Sequence, residues 1–173
     1  MRLISKPQAG EFPAYASMYI NLMPDDERVL AHMDHNLTVV RSMVKGLSEE
    51  ALTTPFADGE WTIKEILVHI IDDERIYAYR ALCFARGDET ELPGFDPDAY
   101  AITSNANHRT LDSILREYDT VRMATISLFD NFDDEALMRK GIGNKNLMSV
   151  RAAAYHIAGH EEHHLNSIRE NYL

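Results

Sequence analysis

Leu30, Met33, Leu37, Val40, Val44 and Leu47 recur at spacings of three and four residues, the period of one face of an α-helix. The pattern predicts a long amphipathic helix. It opens near Pro24-Asp25-Asp26-Glu27, where an early proline and acids suit a first turn, and it stops at Gly46 and Ser48. The same period returns in Ile66, His69, Asp73, Ile76, Arg80 and Cys83. This second helix begins around Trp61, carries the capping-box pattern Thr62-Ile-Lys-Glu65, and ends at Arg86-Gly87. Leu111, Ile114, Tyr118, Val121, Thr125, Leu128 and Phe132 predict a third helix over about 111–132. A fourth runs from Ser149, its N-cap, to Tyr172, and its inner seam reads Val150, Ala153, Ile157, His160, His164.

The segments between are less regular. Residues 1–22 hold Pro7, Gly10 and Pro13, then the aromatic patch Tyr15, Met18, Tyr19. They read as an extended arm that packs on the body or on a second subunit. The connection 49–60 carries Pro55, Asp58 and Gly59. Residues 88–109 include Pro93, Gly94 and Pro97 and read as a long loop with a short helix near 97–107, a length often used for lids or binding loops. A Gly/Asn-rich connector, Gly141-Ile-Gly-Asn-Lys-Asn146, precedes the last helix. No alternating β pattern of useful length and no repeat is visible. The expectation is an all-α four-helix bundle, one domain over 1–173, with an N-terminal arm and a long loop between helices 2 and 3.

The length and an apolar content of 45% allow one core. No apolar run approaches the roughly 18 residues that a membrane helix needs. The start, Met-Arg-Leu-Ile-Ser-Lys-Pro, has no secretory signal pattern. The single cysteine, Cys83, excludes an internal disulfide framework and reads as a small core residue. A cytoplasmic setting follows as the expectation. A net charge of −11 argues against a nucleic-acid binder, which needs a basic face. Any anion must be caught by a local positive centre.

That centre is suggested by the last helix. Four of the eight histidines, His156, His160, His163 and His164, fall within nine positions. His160 and His164 stand one helical turn apart where a bundle normally puts Leu or Ile, and two imidazoles so placed can reach one metal ion. A third ligand is needed, and His69, mid-seam on the second helix, is the best candidate. Asp73, one turn further on, is expected to lean back and accept the spare ring N–H of His69. His156/His160 is a competing pair that periodicity does not reject. His163 lies beside the seam, as a rim residue or one that backs a metal ligand, and His32, His35 and His108 read as surface residues. The run His160-Glu-Glu-His-His164 also fits the zinc-protease pattern H-E-x-x-H, with Glu161 as general base. Only nine residues follow His164, and Glu170 stands where the extended motif has its further histidine. The protease reading is therefore set aside, and Glu161 and Glu162 are expected on a solvated helix face.

The segment Trp61-Thr-Ile-Lys-Glu-Ile-Leu-Val-His69-Ile-Ile-Asp-Asp-Glu74-Arg-Ile-Tyr-Ala-Tyr-Arg80 is followed by Ala85-Arg-Gly-Asp88 and Leu92-Pro-Gly-Phe-Asp96. With the closing Ala-Gly-His160-Glu-Glu-His-His164, it resembles the DinB-like (YfiT-related) superfamily of small bundle proteins over about residues 28–170. The resemblance implies a divalent ion, zinc or nickel, held by His69, His160 and His164 plus water, which favours this pair over His156/His160. It also implies activity as a thiol-dependent S-transferase or related isomerase, using a low-molecular-weight thiol such as bacillithiol or mycothiol. A dication with three neutral ligands keeps its charge and can stabilise a thiolate. Arg80 and Arg151 are candidates to hold carboxylates of thiol or substrate, or to pair with Asp73 or surface acids. The expected partners are a small-molecule substrate and, from the aromatic arm, a second copy of the chain as a homodimer. A metal-dependent hydrolase in which the ion activates water and a non-enzymatic metal-binding stress protein are the alternatives.

Overall fold

Four long helices form where the apolar periodicity places them, and short elements fill the segments between. The computed structural model describes all 173 residues. A 3-10 turn at Ala14–Ala16 leads into α1 (Ser17–Ile20), followed by α2 (Val29–Val44), α3 (Glu49–Thr53), α4 (Ile63–Ala85) and α5 (Pro97–Thr103). Then come α6 (Leu111–Asp130), α7 (Asp134–Met138), the strands β1 (Lys140–Gly143) and β2 (Asn146–Ser149), and α8 (Val150–Asn171). The bundle is α2, α4, α6 and α8. Helix α4 packs on α8 and α6, and α2 packs on α6 and α8. No helix is long and apolar enough to cross a membrane.

Local chemistry sets the helix ends. The Thr62 hydroxyl accepts from the Glu65 amide while the Glu65 carboxylate accepts from the Thr62 amide at 2.8 Å, the capping box anticipated from the sequence. Ser149 caps α8 by accepting from the Ala152 amide. Gly87, with φ +75, stops the chain beyond α4 in a conformation that costs glycine little. Helix α2 starts at Val29 rather than at the acidic run. Asp26 accepts from the Arg28 amide at 2.9 Å and Glu27 has φ +61, so Pro24–Arg28 form a bend instead of a first turn.

Two apolar clusters share the interior. One holds Met33, Tyr77, Ile126 and Ile157, and the other holds Val40, Ile70, Tyr118 and Leu165. Between them lies a layer of buried charge from α4, α6 and α8. Arg122 of α6 donates to Glu74 of α4 and to Glu161 of α8, both at 2.9 Å, and to the Met33 carbonyl of α2. The Tyr118 hydroxyl and the Asn36 amide also donate to Glu161. All three charged side chains are buried. The expectation of a solvated Glu161 is therefore corrected: its partner Arg122 makes burial tolerable, because the interior charges meet and their hydrogen bonds are satisfied. Glu162 is half-buried and pairs at the surface with Arg169.

One other expectation changes. The connector before α8 contains an antiparallel β1–β2 hairpin, where no strand was expected. Asn144 and Lys145 at its tip have φ of 51° and 62°, as a two-residue type I′ turn requires. Its backbone also holds the long loop, since the Leu92 amide donates to Ile142 and the Asn144 amide to Leu92, both at 2.9 Å. The N-terminal arm packs on its own chain. Ile4, Ile20 and Met23 are buried, and the Tyr155 hydroxyl donates to the Ile4 carbonyl. Leu3, Tyr15, Met18 and Leu22 of the arm stay exposed.

Candidate metal centre

The packing of α4 against α8 turns His69 toward His160 and His164. Nε2 of His160 lies 3.0 Å from Nε2 of His69 and 3.2 Å from Nε2 of His164, and the donor atoms of the three all lie within 4.8 Å of one another. Two nitrogens bound to one zinc ion at tetrahedral angles stand roughly 3.3 Å apart, given Zn–N bonds of about 2.0–2.1 Å. The arrangement also fits a cation for a simpler reason. The single in-plane site on His160 Nε2 cannot serve two ring nitrogens at once, so hydrogen bonding alone leaves the cluster incompletely satisfied. A cation is the partner that all three nitrogens share.

Electrostatics keeps these rings in the ligand form. Burial holds the His160 pKa down at about 3 despite the pull of Asp73, and the neighbouring histidines add to the effect. Burial, then His160 and His69, holds His164 down at about 2. Burial also lowers His69, against Asp73 and Asp98. All three are neutral imidazoles at pH 7, with lone pairs available.

Asp73 is placed differently from the expectation. Its Oδ2 lies 3.4 Å from Nδ1 of His160 and 3.4 Å from Nε2 of His156, so it backs His160 instead of taking a proton from His69. Both are α8 residues, and the tight α4–α8 contact brings them over the carboxylate one turn away from His69. Burial pushes the Asp73 carboxyl up, but His160, His156 and His69 outweigh it and hold it well below the ordinary carboxylate range. His156 is buried beneath the cluster, stacked on Tyr77 with ring centroids 3.7 Å apart. Neither of its ring nitrogens has a hydrogen-bond partner within the protein.

His163 stands half-exposed at the rim, edge-on to Tyr19. His35 and His108 are exposed and His32 pairs with Asp26 near the surface. Cys83 is buried in the core. Neither arginine reaches the site. Arg80 donates to the Pro93 carbonyl at 2.8 Å and its guanidinium lies over the Tyr77 ring, without pairing to Asp73. Arg151 is held by Glu11 and Ser5 of the arm. Glu161 points to Arg122 and away from the three histidines, which removes the general base that H-E-x-x-H chemistry requires.

The histidines open onto a cavity of about 310 Å³ walled by aromatic rings. Trp61 sits 4.7 Å, centroid to centroid, from His69, and Tyr19 of α1 meets His156, His160 and His163 edge-on. The Tyr15 and Tyr77 hydroxyls are hydrogen-bonded to each other at 3.0 Å. Tyr19 reaches the site because α1 lies directly on α8 at Gly159, where a Cβ would collide with the Tyr19 carbonyl. The sequence shows Tyr15 and Tyr19 as a patch, but nothing local in it points them at the histidines. The glycine in Ala-Gly-His160 is the one signal of close backbone approach.

A family model described as the DinB superfamily matches residues 32–168. A curated relative from Oceanobacillus iheyensis, named "Putative metal-dependent hydrolase", is 30% identical over 128 residues, covering 73% of this chain and 73% of that protein. A Geobacillus thermodenitrificans protein with the same name is 23% identical over 131 residues, 75% of this chain and 74% of the relative. The solved structure of YfiT from Bacillus subtilis, described as a probable metal-dependent hydrolase with an unusual four-helix bundle topology, matches with a TM-score of 0.73 at 19% identity. The match covers 96% of this chain and 91% of that one, and it is a likeness of fold.

Proposed function

Because the chain belongs to the DinB superfamily and turns three histidine nitrogens on one point, we propose that it is a divalent-metal-dependent enzyme whose reaction is thiol-dependent S-transfer. The observation that carries the metal is the convergence of His69, His160 and His164 in neutral form. Zinc and nickel both suit three imidazole ligands. A dication there supplies Lewis-acid charge, lowering the pKa of whichever thiol or water it binds.

Within the aromatic cavity the surrounding residues favour a nucleophile that needs no separate base. Asp73 is the one carboxylate in the wall of the aromatic cavity, and it backs His160 and His156. Glu161 is committed to Arg122. A thiol with its pKa lowered is already a thiolate at neutral pH, whereas a metal-assisted hydrolase commonly draws on a carboxylate base, as in the H-E-x-x-H enzymes. Hydrolysis is the second reading, favoured by the names of the curated relatives. The test is turnover of a fluorogenic haloalkyl acceptor by zinc- or nickel-loaded protein with and without a small thiol, beside hydrolysis of a p-nitrophenyl ester. Thiol-dependent conjugation lost in His160→Ala supports S-transfer. Ester hydrolysis with no thiol requirement, lost in the same variant, transfers the assignment to the hydrolase reading.

A further inference from the structure

We propose that a second cavity, beyond Phe95 and between α4, α5 and the loop that joins them, binds a carboxylate on a compact apolar body, with Arg80 as the counter-charge. It lies outside the metal centre, and its ligand needs no ion there. Three basic side chains are buried, Lys64, Arg80 and Arg122. Arg122 meets Glu74 and Glu161, and Lys64 meets Glu49. Arg80, only 5% exposed, meets no acid. One of its five N–H donors reaches the Pro93 carbonyl at 2.8 Å, and the guanidinium carbon stands 4.8 Å from the centre of the Tyr77 ring. A carbonyl and a ring face ease a buried cation without cancelling its charge, and an unpaired charge is the costly thing to bury.

The surroundings of Arg80 leave room for a partner. Its unused nitrogens are not sealed in the interior, and the side chain lines a cavity of about 240 Å³ with Tyr79, Leu92, Phe95 and Tyr100. No acid stands in that wall. The other arginine there, Arg75, is already held by Glu117 and Asp72, so one free cation faces the space. A single positive charge with a flat fork of donors suits a monoanionic carboxylate better than a phosphate dianion. The apolar walls suit a hydrocarbon body, and a volume a little under the roughly 300–1,000 Å³ of drug-sized sites limits it to about one ring. The cavity is preformed, because Leu92 is hydrogen-bonded to Ile142 and Asn144 of the hairpin. Gly143 of β1 has no left-handed φ to account for it. A Cβ there would come within 2.9 Å of Nε of Arg80, so the bare backbone makes way for the guanidinium. Phe95 also walls the aromatic cavity over the histidines, which makes the two sites neighbours.

The test titrates 4-fluorobenzoate and 4-fluorobenzyl alcohol into the protein as purified and again after chelation, followed by fluorine NMR, with wild type beside Arg80→Gln and Arg80→Lys. In wild type the acid is expected to bind at least about tenfold more tightly than the alcohol, with or without chelation. Arg80→Gln should abolish that preference, and Arg80→Lys, which keeps the charge without the fork, should retain only part of it. Equal affinities, no binding of the acid, or a preference that survives Arg80→Gln overturns the proposal. So does a preference that disappears on chelation, since it would belong to an ion at the histidines. If the variants do not fold, crystals of wild-type protein grown with 4-bromobenzoate decide. Anomalous scattering from bromine should place the ring beside Phe95 and Tyr79 with its carboxylate on Arg80; bromine elsewhere or nowhere overturns the assignment.

Discussion

Asp73 Oδ2 lies 3.4 Å from Nδ1 of His160, across the imidazole from the Nε2 that meets His69 and His164. A carboxylate at that position favours the tautomer with a proton on Nδ1, leaving the Nε2 lone pair for a cation, and raises the basicity of the ring. Asp73→Asn is therefore expected to weaken zinc affinity about 10–100-fold without removing a ligand. Competition against a chromogenic chelator measures it. An affinity equal to wild type would show that the carboxylate only balances charge inside the bundle.

The depressed pKa values fix how metal-free stability depends on pH. His160 and His164 titrate at about 3 and about 2 in the folded protein and near the ordinary value of about 6.5 when unfolded. Between those values the unfolded chain binds more protons, so stability falls as pH drops below about 6.5 and continues falling to about 3. The low Asp73 pKa adds a loss in the same direction at the acidic end. Well below pH 6.5 each such histidine contributes about 1.4 kcal/mol per pH unit. Urea unfolding in chelator at pH 7.5 and 5.0 should show the decline, and His164→Leu should shrink it by one histidine's share. A slope unchanged in that variant would contradict the neutral, buried state of His164.

Glu161 is predicted to matter for stability and not for chemistry. Glu161→Gln leaves Arg122 with half its counter-charge in a buried site, and breaking a buried pair from one side costs about 3–5 kcal/mol. The variant should unfold at much lower denaturant while still taking up one zinc per chain. Retained stability with lost turnover would instead restore the general-base role that the H-E-x-x-H spacing suggests.

Helix positions were legible because the 3-4 repeats and the caps at Thr62 and Ser149 are local signals. The fold family was legible through the two histidine motifs, which bracket the contact between α4 and α8. The hairpin was not, because Lys140–Gly143 and Asn146–Ser149 are four residues each, with two glycines in one of them. The charged layer was missed although its signal is present. Arg122 stands four residues from Tyr118 and Ile126, and Glu161 four from Ile157 and Leu165, so opposite charges occupy core seams of different helices. Read one helix at a time, each charge looks like an exposed face. Only pairing the seams shows that they neutralise one another, and pairing is tertiary information. Asp73 was assigned to His69 for the same reason, since one-helix geometry sees the turn above but not the helix opposite.

Gly159 offers a test of the arm that leaves every site residue in place. In an ordinary helix interior Gly→Ala stabilises by up to about 1 kcal/mol through backbone propensity. Here the added Cβ would run into the Tyr19 carbonyl. That neighbour is backbone and cannot rotate away, so α1 must move off α8. Gly159→Ala is therefore expected to destabilise, and Gly159→Val to do so by about 1–3 kcal/mol, the usual range for overpacking. Displacing α1 also withdraws Tyr19 from His156, His160 and His163, opening the cavity to water. The arm should then be cut faster by limited proteolysis, with zinc stoichiometry unchanged. A stabilised Gly159→Ala protein with an equally protected arm would mean that α1 does not rest on α8 in solution, and Tyr19 would lose its place in the site.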